Sequence, residues 1–194
     1  GMVMYDDEVL IRLRNLCSKY DILLILDEIF TGFCRTGNFY AFESAEITPD
    51  IVTLSKALTG GTIPLAATVA SKNIYDAFLS ENAEFALMHG PTYMANPLSC
   101  AAANASLDLF EIEPRLEQVY KISLQMSEEL DCCSTIPGVV DVRVKGAVGV
   151  VELEGEIRID WLREKFLQEL VWIRPFRNIV YLTPAFTISE QDLS

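Results

Sequence analysis

The chain has 194 residues, 51% of them hydrophobic and 22% charged, with a mean hydropathy of +0.25, so it has the apolar content to build a core and is not a disordered polymer. Fifteen basic against 28 acidic residues give a formal charge of −13, which opposes non-specific binding to nucleic acid or to an acidic lipid surface. No apolar run approaches the roughly 20 residues of a membrane span, and Gly1 to Asp7 lacks the basic and apolar regions of a signal peptide.

In chain order, Asp6 and Asp7 can start a helix in which Val9, Leu10, Leu13, Leu16 and Cys17 follow helical spacing, ending near Asp21. The unbroken apolar run Ile22 to Leu26 predicts a strand buried on both faces, terminating in Asp27-Glu28. Residues 31–38 read as a loop. Asp50 to Leu54 predicts a second buried strand, closed by Ser55-Lys56 and soon followed by Gly60-Gly61. Ala66 to Ser71 predicts a third strand, and Ile74 to Leu79 a short helix. Met88 to Thr92 is a loop. Asn96-Pro97 then combines a capping side chain with proline at the first helical position and predicts a helix over 98–110. Its alanines and serines suit close packing against a sheet or a second subunit. Another helix is expected from Pro114 to about Leu130.

After Pro137-Gly138 the pattern turns to short strands, Val139 to Val144 and Val148 to Leu153. A helix capped by Asp160 follows, then the strands Val171 to Arg174 and Ile179 to Leu182. The expectation is an α/β domain with a mainly parallel sheet over residues 1–112, followed by a small α+β lobe over 113–194.

Five cysteines (Cys17, Cys34, Cys100, Cys132 and Cys133), an odd number without a CxxC, read as reduced thiols of a cytoplasmic protein. One histidine, His89, cannot build a multi-histidine zinc site, and no GxSxG supports a serine nucleophile. Four apolar residues followed by Asp-Glu match a Walker B strand, but that reading requires a GxxxxGK[ST] phosphate loop, which these residues do not contain.

The more informative pair is Asp27 and Lys56, 29 residues apart and each just past a buried strand. One crossover unit between them places both on the same sheet edge, where open α/β sheets bind ligands. A lysine beside apolar strands can act as a neutral amine that condenses with an aldehyde. An acid opposite it can hold a pyridinium nitrogen protonated, and Gly60-Gly61 allow close backbone approach.

Three segments carry a resemblance. Leu24-Ile25-Leu26-Asp27-Glu28-Ile29-Phe30-Thr31-Gly32-Phe33-Cys34-Arg35-Thr36-Gly37 resembles the signature of the class III pyridoxal-phosphate aminotransferases. The stretch from Pro49 to Gly61 resembles their cofactor-lysine segment. Met88 to Leu107, with Trp172 to Phe176 and Tyr181 to Pro184, resembles the branch that serves biotin synthesis.

The resemblance implies a fold type I transferase using pyridoxal 5′-phosphate, a homodimer, and a ping-pong exchange between an amine donor and a keto acid acceptor. In that branch these are S-adenosylmethionine and 7-keto-8-aminopelargonate. It implies Lys56 as the Schiff-base lysine and Asp27 as the partner of the pyridine nitrogen. Pro91 and Thr92 would act at the phosphate of the neighbouring subunit, and Gly90 would line the substrate channel. Arg174 would hold the substrate carboxylate, with Arg35 as a second anion contact.

Plainer roles stand beside these: surface charge for Arg174, a loop salt bridge for Arg35, helix entry for Thr92, and support of its neighbours for Glu28. Cys34 stands where the family usually has glycine. Members of the family are far longer. The expectation is therefore a C-terminal part without the phosphate loop and stacking aromatic, binding the cofactor weakly and turning over negligibly. The alternatives are a non-catalytic folded fragment and an aminotransferase for another ω-amino acid. Self-association through residues 91–105 is expected in either case.

Overall fold

A computed structural model describes residues 2–173 and 175–194. They form two compact units: Tyr5–Phe33 with Tyr40–Pro114, and Gly1–Met4 with Cys34–Phe39 and Arg115–Ser194.

In the first unit, helix α1 (Asp7–Lys19) leads to strand β1 (Ile25–Asp27), which pairs in parallel with β2 (Ile51–Leu54). Strand β3 (Ala67–Ala70) then pairs antiparallel with β2, giving the order β1-β2-β3. The sheet is thus half parallel. The chain leaves β2, turns through a 3₁₀ segment at Lys56–Thr59 and the left-handed Gly60 and Gly61, and runs back beside β2. Asp50 sets the register of the parallel pair. One oxygen accepts the Leu24 N–H at 2.7 Å and Arg14 Nη1 at 2.8 Å, while the Asp50 and Ile51 amides both donate to the Leu24 carbonyl.

Three expectations need correction in this unit. Ile22 to Leu26 is not buried on both faces, because β1 is an edge strand: Leu24 is buried, whereas Ile22, Leu23 and Ile25 are exposed. The α1 stripe follows helical spacing, yet only Cys17 is buried and Val9, Leu13 and Leu16 lie open. The short helix α2 begins earlier than expected, at Lys72–Asp76.

Helix α3 (Pro97–Ile112) starts as its sequence dictates, with Asn96 Oδ1 accepting the Ser99 N–H at 2.9 Å. Its buried residues are Ser99, Ala103 and Ser106, one stripe of small side chains.

In the second unit, helix α4 (Arg115–Leu130) precedes the antiparallel sheet of β4 (Val139–Val144), β5 (Gly149–Leu153) and β6 (Ile179–Leu182). Val119, Ile122 and Met126 of α4 are buried, as are Ala147, Val148, Val150 and Ile179. Gly149 permits the close approach of helix to sheet, since a β-carbon there would lie 2.9 Å from Leu130 Cδ1 and 3.1 Å from Met126 Sδ. Helix α5 (Ile159–Gln168) has Arg158 at its N-cap position, two residues before the expected Asp160 and without a side-chain cap bond, and α6 (Glu190–Leu193) follows β6. Residues 171–173 lie outside any strand, and Arg174 is not among the described residues. Among the described residues, no helix is long and apolar enough to cross a membrane.

Candidate functional site

Asp27 is the last residue of β1 and faces Thr53 of β2 in parallel register, so both strands point their carboxyl ends the same way. Lys56 follows three residues after Thr53. The parallel pairing therefore brings Asp27 and Lys56 out at one sheet edge, as the spacing predicts. Both are exposed. Asp27 Oδ1 accepts the Ile29 N–H at 2.9 Å, which fixes the orientation of the carboxylate. The Lys56 ammonium lies 4.9 Å from the centroid of the Phe30 ring, an aromatic supplied by the loop just beyond Asp27.

The backbone at Lys56 is left-handed, with φ +49°. For a side chain other than glycine this conformation costs on the order of 1–3 kcal/mol and persists only where the surroundings impose it. Those surroundings are visible. Ser106 Oγ of α3 donates to the Ala57 carbonyl at 2.8 Å, and Ser99 Oγ to the Pro64 carbonyl at 3.3 Å. Ser55 Oγ donates to the Leu65 carbonyl at 2.7 Å, and buried Thr59 donates to the Ile63 carbonyl at 2.6 Å. Helix α3 thus underpins the lysine turn. Its small stripe packs there rather than serving only as a general contact face. Ser99 and Ser106 escaped the sequence reading as individual residues, although their spacing of seven with Ala103 between them was the available signal.

Glu28, only 2% exposed, turns inward where Asp27 turns out. It accepts hydrogen bonds from the Thr31 hydroxyl and, at 3.2 Å, from the Phe42 N–H, so it ties the loop after β1 to residue 42. That is the supporting role expected of it. Tyr40 sits in this neighbourhood, and its phenol is raised by burial first and then by Glu43 and Glu28.

Gly32 needs its lack of a side chain, since a β-carbon would lie 2.8 Å from the Glu28 carbonyl oxygen. Phe33 and Cys34 then adopt φ of +58° and +68°. Cys34 therefore occupies a backbone conformation that glycine favours, with its side chain buried.

Arg35 belongs to the second unit. Its Nη1 donates to the carbonyls of Ala147 at 3.1 Å and Pro184 at 2.8 Å, and its guanidinium lies 4.4 Å from the Phe186 ring centroid. Burial lowers its pKa. The Arg35 carbonyl accepts the Ala147 N–H at 2.9 Å, and Gly146, at φ +56°, leaves room where a β-carbon would lie 2.5–2.6 Å from the backbone of residues 35–37. These partners are backbone carbonyls rather than carboxylates, so Arg35 braces this segment instead of forming a loop salt bridge.

Gly90, Pro91 and Thr92 lie in an exposed segment ahead of α3, with the Pro91 carbonyl accepting the Met94 N–H at 2.9 Å. His89 is exposed in the same stretch. Arg174, expected at the substrate carboxylate, falls outside the described residues. Among the described residues no group of three or more His, Cys, Asp or Glu side chains is placed to hold a metal ion.

A lysine and an acid at the ends of neighbouring parallel strands, on an α/β scaffold, define a class, and comparison with known proteins gives the same one. The family model "Aminotransferase class-III" matches residues 1–194, and the chain belongs to that family. It is 46% identical over its whole length to the adenosylmethionine-8-amino-7-oxononanoate aminotransferase of Buchnera aphidicola subsp. Schizaphis graminum, and 43% identical to the enzyme of that name from Mycobacterium leprae. It covers 44% of each, so the chain spans less than half the length of these curated relatives.

The crystal structure of the Methanocaldococcus jannaschii enzyme of the same name superimposes with a TM-score of 0.90 at 34% identity, over 100% of this chain and 48% of that one. A PLP-bound amine transaminase from an uncultivated Pseudomonas species gives a TM-score of 0.92 at 31% identity, over 46% of its chain.

Proposed function

We propose that the strand ends carrying Asp27 and Lys56 are part of a pyridoxal-phosphate site, and that the reaction served is amino transfer from S-adenosylmethionine to 7-keto-8-aminopelargonate in biotin synthesis. The observation that carries the cofactor reading is the parallel register that sets an amine and a carboxylate on one sheet edge. The names of the relatives support the substrates.

The residues fit the group. A primary amine suits its aldehyde, a carboxylate suits its pyridine nitrogen, and beside them Gly61, at φ +78°, has open space where a β-carbon would be. When bound, the cofactor supplies an aldehyde that takes up amino groups and a ring that withdraws electrons from the carbon bearing them.

Lys56 Nζ has two tasks: it holds the cofactor between turnovers and moves the proton on and off the substrate carbon. Its exposure keeps Nζ within reach of incoming ligands, and Phe30 packs against it from one side. Asp27, steadied by the Ile29 N–H, holds the proton at the ring nitrogen. Glu28 keeps the loop that carries Ile29 and Phe30 in place. Thr92 and Pro91 bind phosphate across a dimer interface, and Gly90 leaves space for the substrate. The carboxylate of the keto acid is assigned to Arg174, whose planar fork suits it, with Arg35 as a second anion contact.

The site is shared between two copies in this reading. The exposed segment before α3 supports a homodimer through residues 91–105: Met88 is 93% and Leu98 75% exposed, and large exposed apolar side chains mark interaction surfaces. In chain order we assign a large domain over 1–112 and a small domain over 113–194, with residues 34–39 of the former grouped in the compact unit of the latter; Cys17, Cys100, Cys132 and Cys133 as thiols fit a cytoplasmic setting.

Borohydride trapping tests the reading. Pyridoxal phosphate is added, the mixture is reduced, and the label is mapped. The expected label sits on Lys56 and is lost in Lys56→Ala. Amino transfer is then assayed with S-adenosylmethionine as donor. Label distributed over surface lysines, or none at Lys56 at saturating cofactor, sinks the proposal. A monodisperse monomer by light scattering sinks the dimer.

A further inference from the structure

Cys132 and Cys133 are adjacent residues on the 3₁₀ turn Asp131–Thr135 that ends α4. They lie in the second unit, and neither has a role in the proposed amino transfer. Cys132 is exposed and Cys133 half-buried, whereas Cys17 and Cys34 are buried. The Cys132 thiol donates to the Glu129 carbonyl at 3.3 Å and is in hydrogen-bonding reach of the Cys133 thiol. Partial burial first, and then its neighbour Cys132, push the pKa of the Cys133 thiol up.

A direct bond between the two sulfurs is geometrically disfavoured. The peptide joining them is trans, which sets neighbouring Cα atoms about 3.8 Å apart. Disulfides ordinarily span about 4.4–6.8 Å between Cα atoms. A larger atom inserted between the sulfurs removes that conflict. Asp131 and Ser134, which flank the two cysteines in sequence, border a cavity of about 280 Å³ lined by Val139, Val142 and Val144 together with Asp141 and Arg143.

We propose that Cys132 and Cys133 form a vicinal dithiol site for a soft, thiophilic ligand, a monosubstituted trivalent arsenical, held as a two-sulfur chelate. In the step, two S–H and two As–O bonds of the hydrated arsenical break, two As–S bonds form and two waters leave. Arsenic stays trivalent, so no oxidant or reductant is required.

The probe is phenylarsine oxide, added at one equivalent to the reduced whole chain after removal of reductant, with intact mass and peptide mapping as readouts. The expected product gains one phenylarsenic unit and loses the two thiol hydrogens. It maps to the peptide holding both cysteines, and is reversed by a small dithiol but not by a monothiol at equal thiol concentration. Cys132→Ser and Cys133→Ser each weaken capture by about a hundred-fold, the advantage of a second attachment point. Cys100→Ser leaves capture unchanged. Superimposable thermal melts confirm that the variants fold, and the dithiol-against-monothiol reversal on the unmodified chain tests the chelate even if one does not. No uptake by the unmodified chain, label on Cys17, Cys34 or Cys100, reversal by the monothiol, or undiminished capture by either serine variant overturns the proposal.

Discussion

The two units bury their apolar residues differently. In the second, a single helix closes over an antiparallel sheet, and Val119 of α4 and Val150 of β5 are both 0% exposed. In the first, the sheet that carries Asp27 and Lys56 is thin. Its edge strand leaves Ile25 58% exposed, the β3 side chains are largely open, and a row of apolar residues on α1 has no cover. The second unit is held by its own packing. The first is held by hydrogen bonds at its strand starts and turns, and it displays apolar surface for something else to cover. The proposed lysine and acid sit on the less closed of the two.

The largest effect expected on this contrast comes from Gly146→Ala. Its β-carbon would overlap the backbone of residues 35–37 in a left-handed conformation. A loss of about 3 kcal/mol is expected. Urea unfolding should show it, with hydrogen exchange rising first around residues 34–39 and 145–148.

The matching lesion in the first unit is Asp50→Ala, which removes the carboxylate holding Leu24 and Arg14. A loss of about 2 kcal/mol is expected, read as faster amide exchange in β1 and β2. Asp50 also gives a pH signature. The Leu24 N–H first, and Arg14 second, hold its carboxyl below the usual carboxylate range. A folded pKa below the unfolded one gives stability that is present above the unfolded value of about 3.9 and lost as pH falls through the folded value. Acid unfolding should therefore steepen below about pH 4, and Asp50→Asn should flatten that limb. An unchanged acid limb in the variant would assign it to other groups.

Much of this was legible in the residues. Asn96-Pro97 states both the cap and the first helical turn of α3. The placement of Asp27 and Lys56 at the same end of two parallel strands followed from two apolar runs ending in charged residues. Burial was not legible, because a run such as Ile22 to Leu26 reads alike in a central strand and in an edge strand, and only the neighbouring strands distinguish them. Arg35 was illegible for a related reason. A lone arginine in a glycine loop gives no hint that its partners are carbonyls at 147 and 184.

Intermediate effects are expected at the lysine turn. Lys56→Gly should abolish cofactor labelling while raising stability by about 1 kcal/mol, because glycine accepts the left-handed backbone without cost. A fall in melting temperature would mean that the Phe30 contact outweighs that strain. Ser106→Ala should cost about 1 kcal/mol by removing one of the two donors to the Ala57 carbonyl, the Gly60 N–H remaining, and should weaken labelling of Lys56 more than it weakens the fold.

The smallest effect on stability is expected from Ile25→Thr, within about 0.5 kcal/mol, since the side chain is already in water. If the open edge of the first unit drives self-association, the same variant should reduce it in light scattering. Undiminished association would point to the segment before α3.

The clasp of Arg35 on Ala147 and Pro184 has a consequence for the order of synthesis. Its hydrogen bonds join positions 112 and 149 residues apart. A nascent chain emerging from the ribosome presents residues 34–39 long before their partners exist. The Arg35 clasp cannot close in full until translation passes residue 184. Long-range closure of this kind is slow. Synonymous changes that alter elongation speed between residues 40 and 184 should shift the yield of folded chain without altering a single side chain.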